Sequence, residues 1–430
     1  MKSSKLTKFL LAGGAVGAIC TPGYAQDNPA EGADDSVIIV TANKRQENLQ
    51  EVPAAISVIS QEQLEVTGFS DITDISAIAP NLTISEGTTS PTTTVVAIRG
   101  IASGSDDQLT LDPAVAVYVD GIYLGRTAAT AIPMHDVEAV EVLRGPQGTL
   151  SGRNSTGGAV SFRLRRPTDD FGLDVEAGYG NQDHRQALVR LNSGNLFDGN
   201  VRMSLTYAHK QNDGYVNNIL TAGNNKDSGY TNSDSIRFAL EADLGDTGSV
   251  YYSFDYADYD ATPPANQLVV TSPTVQRYLD NSTTVAGCNL TPTFARQGSL
   301  CLDDSLPTTT EIYGHVLRFE NDFGGVTLRS TSGWRSWRND VPLNDFDGLG
   351  PITGPSFSNA TLFNGIQPPA LLAPFVGGLP AANFVSGLAV PTATTSLFSA
   401  SNFRKQDQVS QEIEILSNND GPFTWVVGGF

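Results

Sequence analysis

Residues able to do chemistry are scattered through this sequence rather than gathered. The densest group is a Gly/Arg block from Arg144 to Val160, holding Gly145, Gly148, Gly152, Gly157 and Gly158 beside Arg144 and Arg153, with Arg163, Arg165 and Arg166 just after it. Gly-rich loops cradle phosphate when spaced GxxxxGK[ST] or GxGxxG, and neither spacing occurs. The block reads instead as a chain taking tight turns where backbones approach closely. Its arginines have two readings: partners of carboxylates on a surrounding wall, or solvated surface cations, the latter most apt for Arg165 and Arg166. His135, His184, His209 and His315 stand singly, and lone histidines are ordinarily polar surface residues. There is no GxSxG, HExxH or CxxC, and no carboxylate pair stands out from the acidic background. The expected protein is not an enzyme and has no metal or cofactor.

The chain that must position these residues has 430 residues, with 46 Asp+Glu against 26 Lys+Arg and a formal charge of −20. That length suits two or three domains. The acidity argues against nucleic acid, which calls for a basic stripe. Lys2, Lys5 and Lys8 precede an apolar run from Phe9 to Ile19, and Gly23-Tyr24-Ala25 offers small residues for cleavage before Gln26. This is the pattern of a secretory signal over 1–25. Cys20 raises a lipoprotein alternative, but Ile19 fills the preceding slot badly. After export Cys288 and Cys301 remain, an even pair that favours a disulfide closing a local loop; two cysteines are too few for structural zinc. No later run of 18 apolar residues exists, so helical spans are not expected.

Short alternating runs leave a soluble all-β protein or a membrane β-barrel. Residues 26–36 look disordered, and 37–45 form an apolar, β-prone run ending in Lys44-Arg45. Residues 50–168 are compact and mixed. Within them Ser60 with Gln63 predicts a capping box opening a short helix through Val66. Asp71 predicts a second short helix stopping at Pro80. Asp120-Gly121, between 117 and 124, predicts a type I′ hairpin, structural first and a ligand contact second. Beyond 170, nine strands are expected near 172–180, 184–193, 199–210, 234–245, 249–259, 312–322, 325–337, 406–417 and 422–430. Tight turns at 246–248 and 324–325 alternate with long loops at 260–311 and 338–405, the asymmetric layout of an outer-membrane barrel. Tyr251, Tyr252, Tyr256 and Tyr259 read as an interfacial girdle.

Five stretches together resemble the TonB-dependent outer-membrane receptor family, in the style of sphingomonad-like bacteria. Val37, Ile38, Ile39, Val40, Thr41 and Ala42 resemble a TonB box, with an ordinary first strand as the alternative. Arg99-Gly100, the 117–126 segment around Asp120-Gly121, and 142–167 resemble segments of the family's plug, and 425–430 resembles a mid-barrel strand. The resemblance implies a leader with its TonB box over 26–49, an α+β plug over 50–168, and over 169–430 an incomplete barrel with nine of about 22 antiparallel strands. It further implies a monomer in the Gram-negative outer membrane that binds a ferric siderophore or another bulky nutrient. TonB, with its inner-membrane energising complex, would pull the box. Phe430 reads as a strand cut short in mid-barrel. Alternatives are a non-functional truncated fragment, a passive porin, and a secreted β-rich binding protein.

Overall fold

The computed structural model describes residues 39–40, 44–45, 47–68, 71–87, 90–102, 112–126, 136–149, 152–220, 225–280, 282–303, 305–345, 348–353, 399–418 and 423–430. The expected leader, Val37, Ile38, Thr41, Ala42, His135 and most of the 338–405 loop lie outside them.

Strand β1 (Ile39–Val40) pairs antiparallel with β2 (Glu47–Asn48), and Val40 is buried. The middle of the run that resembles a TonB box is thus held in a small ladder. β3 (Ala55–Ser60) leads into helix α1 (Gln61–Thr67). There the Gln63 N–H donates to Ser60 Oγ while the Ser60 N–H donates to Gln63 Oε1, the reciprocal capping box. The second helix is a 3-10 turn, Ile72–Ala77, tighter and shorter than a run to Pro80.

β4 (Leu82–Glu86), β5 (Thr94–Ile98) and β6 (Ile101–Ala102) form a three-stranded sheet. β7 (Val115–Val119), β8 (Ile122–Tyr123), β9 (Val137–Arg144) and β10 (Gly158–Leu164) join β3 in the order β3-β9-β10-β7-β8. Their side chains fill the core of this N-terminal domain, with Ile59, Leu64, Ile75, Ile98, Val140 and Phe162 all buried. Between β7 and β8 the backbone turns on Asp120 (φ 51°) and Gly121 (φ 83°), the two positive φ values a type I′ turn needs.

A long antiparallel sheet follows: β11 (Phe171–Tyr179), β12 (Arg185–Ser193), β13 (Val201–Asn218), β14 (Ser228–Leu244) and β15 (Gly248–Ala261). After a connection holding α2 (Pro273–Asp280), β16 (Thr283–Thr284) and β17 (Ser299–Leu300) it continues with β18 (Thr308–Asp322) and β19 (Val326–Asp345). Past β20 (Ile352–Thr353) come β21 (Ser399–Ser417) and β22 (Val426–Gly429). The order β11-β12-β13-β14-β15-β18-β19-β21-β22 is sequential, and β22 does not return to β11 among the described residues. The expected architecture, an α+β domain followed by nine antiparallel strands, is the one observed.

Several strands run further than their apolar alternation, all at the long-loop rim. β13 extends to Asn218, β14 starts at Ser228 and β19 reaches Asp345. There the ladder is carried by polar residues such as Asn212, Asn217 and Thr231, which hydrophobic periodicity does not mark. The loops are accordingly shorter than 260–311 and 338–405. The first is also partly folded: β16 pairs with β20, β17 lies parallel to the end of β13, and Leu279, Leu349 and Ile352 make a small core. Cys288 and Cys301 are disulfide-bonded there, with Cα atoms 5.7 Å apart.

Strand parity also corrects the girdle. Tyr251 and Tyr259 share the inward face of β15 with Ser253 and Ala257, and Tyr251 is 2 % exposed. Only Tyr252 and Tyr256 point outward, where Tyr256 stacks near Tyr313 and Tyr252 bonds His315. Positions an even number apart share a face, so four tyrosines of mixed parity cannot form one belt.

Candidate functional site

The inward face of β12 to β21 lies against the N-terminal domain, and the polar contacts between them fall at three levels. At the short-turn rim the segment just after β1 is clasped. Lys44 Nζ lies 2.8 Å from Glu412 Oε1 and 3.4 Å from Glu414 Oε1, both on β21. Arg45 Nη2 donates to the Ser417 carbonyl and hydroxyl and to the Trp425 carbonyl, and Arg329 of β19 donates to the Lys44 carbonyl at 3.0 Å. These contacts border a cavity of about 850 Å³ lined by charged side chains of both signs.

At mid-height sits a buried ionic network. Asp136, just before β9, takes Arg190 of β12 on Oδ1 and Arg237 of β14 on Oδ2, each at 2.6 Å, with all three side chains at most 7 % exposed. Arg237 also donates to Tyr251 Oη, whose hydroxyl donates to Asp120 Oδ2 at 2.8 Å. Arg318 of β18 donates to the Asp120 carbonyl, and the Leu164 N–H donates to Asp120 Oδ1. Burial alone would raise the Asp120 carboxyl, but Arg237, Arg166 and Arg318 with the Tyr251 hydroxyl outweigh it and hold it below the ordinary carboxylate range. The Asp120-Gly121 turn is thus a plug-to-wall anchor; a Cβ on Gly121 would stand 2.9 Å from Arg318 Nη2.

Towards the long loops, Ser90, Thr92, Thr310, Asn339 and Arg404 form a buried hydroxyl–amide chain tying the 90–94 segment to β18, β19 and β21. Beside it opens a cleft of about 450 Å³ between Asp71, Glu86, Pro91 and Thr94 on one side and Lys210, Asn212, Tyr215 and Tyr259 on the other.

The Gly-rich block is structural. Gly158 (φ 146°) lies so close to β9 that an added Cβ would stand 2.2 Å from the Leu143 carbonyl. Gly145 and Gly152 hold positive φ; Gly148 and Gly157 lie in the same turns, and Arg99 (φ 52°) with Gly100 makes the β5–β6 turn. The arginines of this region divide. Arg165 meets Asp174 and Arg166 meets Glu241, both on the wall, but Arg163 pairs with Glu138 and Glu141 of its own domain, and Arg153 lies over the Tyr123 ring. Arg144 shows no wall carboxylate among the described contacts. The buried pairs run the other way: acids Asp120 and Asp136 come from the inner domain and guanidiniums from the wall. Sequence reading missed Asp136, Arg190 and Arg237. The signal available was an arginine amid apolar residues at an inward strand position, as in 187–191 and 236–240.

Residues 48–159 match the TonB-dependent receptor plug domain. This segment is a TonB-dependent receptor plug domain. Among curated relatives, the chain is 28% identical to the pesticin receptor of Yersinia pestis over 230 residues, 53% of this chain and 33% of that protein. It is 30% identical to the ferrioxamine B receptor of Salmonella typhimurium over 187 residues, 41% of this chain and 25% of that protein. The ferric yersiniabactin uptake receptor of Yersinia pestis superposes with a TM-score of 0.60 at 19% identity, covering 87% of this chain and 47% of that one. The ferric preacinetobactin receptor of Acinetobacter baumannii gives 0.60 at 13%, covering 91% and 48%. The chain therefore spans a third or less of these curated relatives and about half of these solved ones. The structural likeness shows the fold: a plug seated against a barrel wall.

Proposed function

We propose that this protein is an outer-membrane receptor that imports a scarce, bulky nutrient, a ferric siderophore, by energy-coupled movement of its plug. The observation that carries this reading is the placement of Lys44-Arg45, just after β1. This pair is clasped by β21, next to a plug bonded to the wall at every level. Val37–Ala42 acts as the TonB box, adding by main-chain hydrogen bonds to an open sheet edge of TonB. Tension on it unzips β1 from β2 and loads the Lys44–Arg45 clasp first.

In this reading residues 1–25 are a signal peptide, 26–49 the leader with its box, 50–168 the plug, and 169–430 barrel strands with extracellular loops. Ferric cargo is supported by the similarity to a ferrioxamine B receptor and a ferric yersiniabactin uptake receptor, while another similar protein is named a vitamin B12 transporter. The partners are TonB with its inner-membrane energising complex and the lipid of the Gram-negative outer membrane, and the receptor works as a monomer. No bond of the cargo is made or broken. A seated plug is unlike an open passive porin.

The test is uptake of radio-iron chelates by the source bacterium, with and without the gene and with and without a protonophore. Loss of uptake of at least one chelate in both the deletion strain and the protonophore-treated wild type is expected. Unchanged uptake of every chelate in the deletion strain sinks the reading.

A further inference from the structure

The cleft at the long-loop rim carries an unequal charge inventory. Its described lining holds three full charges, Asp71, Glu86 and Lys210, together with His184. Lys210 Nζ lies 2.6 Å from Asp71 Oδ2, so the cation is already answered. The Glu86 carboxyl is pushed up first by burial and then by Asp71, with Lys210 drawing it part of the way back down. One ammonium therefore stands against two carboxylates among the described lining residues. The rest of the polar lining is amide, hydroxyl and phenol: Asn181, Gln182, Asn212, Thr92, Tyr215 and Tyr259. Arg296, on the bordering loop, is near enough to act on Tyr215 but does not line the cleft.

The neighbouring inward positions repeat this pattern. Thr231 and Ser233 on β14, Thr308 and Thr310 on β18, and Asn339 on β19 are neutral. Arg404 is 2 % exposed and donates to Asn339, so it is turned away from any solute. Guanidiniums that line open space, Arg318 and Arg329, border the cavity at the opposite rim.

We propose that this cleft selects a neutral or positively charged ligand and disfavours polyanionic ones. A polyanion entering here would give up water and meet no free cation among the described residues, while Glu86 repels it. A ligand bearing an ammonium group meets Glu86, and its amide or hydroxyl surface meets the asparagine, threonine and tyrosine side chains. This rests on the receptor reading above and narrows its substrate class.

The test uses outer membranes of the source bacterium and three probes: a ferric trihydroxamate bearing a protonated amine, an uncharged ferric trihydroxamate, and a trianionic ferric tris-catecholate. Glu86→Gln and Glu86→Lys are compared with wild type through ratios of affinity within each protein, which partial loss of folded receptor does not alter. The cationic and neutral probes should bind at least about tenfold more tightly than the trianion, and Glu86→Lys should shrink that ratio about tenfold. Tightest binding of the trianion, with a ratio indifferent to residue 86, overturns the charge preference and leaves the receptor reading standing. Binding of no ferric chelate by receptor present in the membrane sinks the ferric-siderophore reading and this proposal together.

Discussion

At the scale of single residues, the plug is held by a few buried charges whose partners come from the wall. Asp136 satisfies two guanidiniums at once, so Asp136→Ala leaves Arg190 and Arg237 buried without their anion. Breaking a buried pair from one side costs about 3–5 kcal/mol. The expected result is a plug that trypsin cleaves in folded receptor at a denaturant concentration where wild type resists. Asp120 adds a pH dependence. Its folded value lies below the unfolded one, near about 3.9, so its stabilisation is complete above that value and lost as pH falls through the folded one. Acid should therefore loosen wild-type plug more steeply than Asp120→Asn, which starts weaker at neutral pH; parallel acid-unfolding curves for the two would contradict the anchor. The Asp-Gly turn was legible in the sequence because its residue types dictate its backbone. Its partner Tyr251 was not, because a tyrosine's face depends on strand register rather than on its type.

At the scale of elements, hydrophobic alternation marked every wall strand and then stopped short of the polar ends. On the outward face the opposed residues Leu205, Phe238, Phe254, His315, Trp334 and Val409 form one cross-strand row. Two rows further toward the long loops the row is His209, Asp234, Asp258, Glu311, Arg338 and Lys405. In the proposed outer-membrane receptor, this change from apolar to charged is the border of the lipid-facing belt. Phe238→Arg should lose roughly 2–4 kcal/mol of folding stability in lipid vesicles; a loss under one quarter of that would place Phe238 away from lipid. In the plug, Gly158 permits the close β9–β10 approach, which sequence reading recognised only as a Gly-rich block. Gly158→Ala drives a Cβ into the Leu143 carbonyl, so the variant is expected to reach the membrane with a protease-sensitive plug, seen by limited digestion.

At the scale of the whole molecule, the sequence carried the family through short motifs and the architecture through strand spacing. The ionic network, the clasp on Lys44 and the folded long-loop core were not legible, because each joins residues far apart in the chain. Lys44 and Glu412 are separated by 368 positions. The central claim is that the 37–42 run transmits energy from outside the barrel to the plug. Its most direct test is Val40→Pro, which removes a main-chain donor from the middle of the run without touching the cleft. Ligand binding to intact cells and energised uptake are measured side by side. The account predicts wild-type binding with uptake abolished, and uptake that keeps pace with binding in the variant would contradict it.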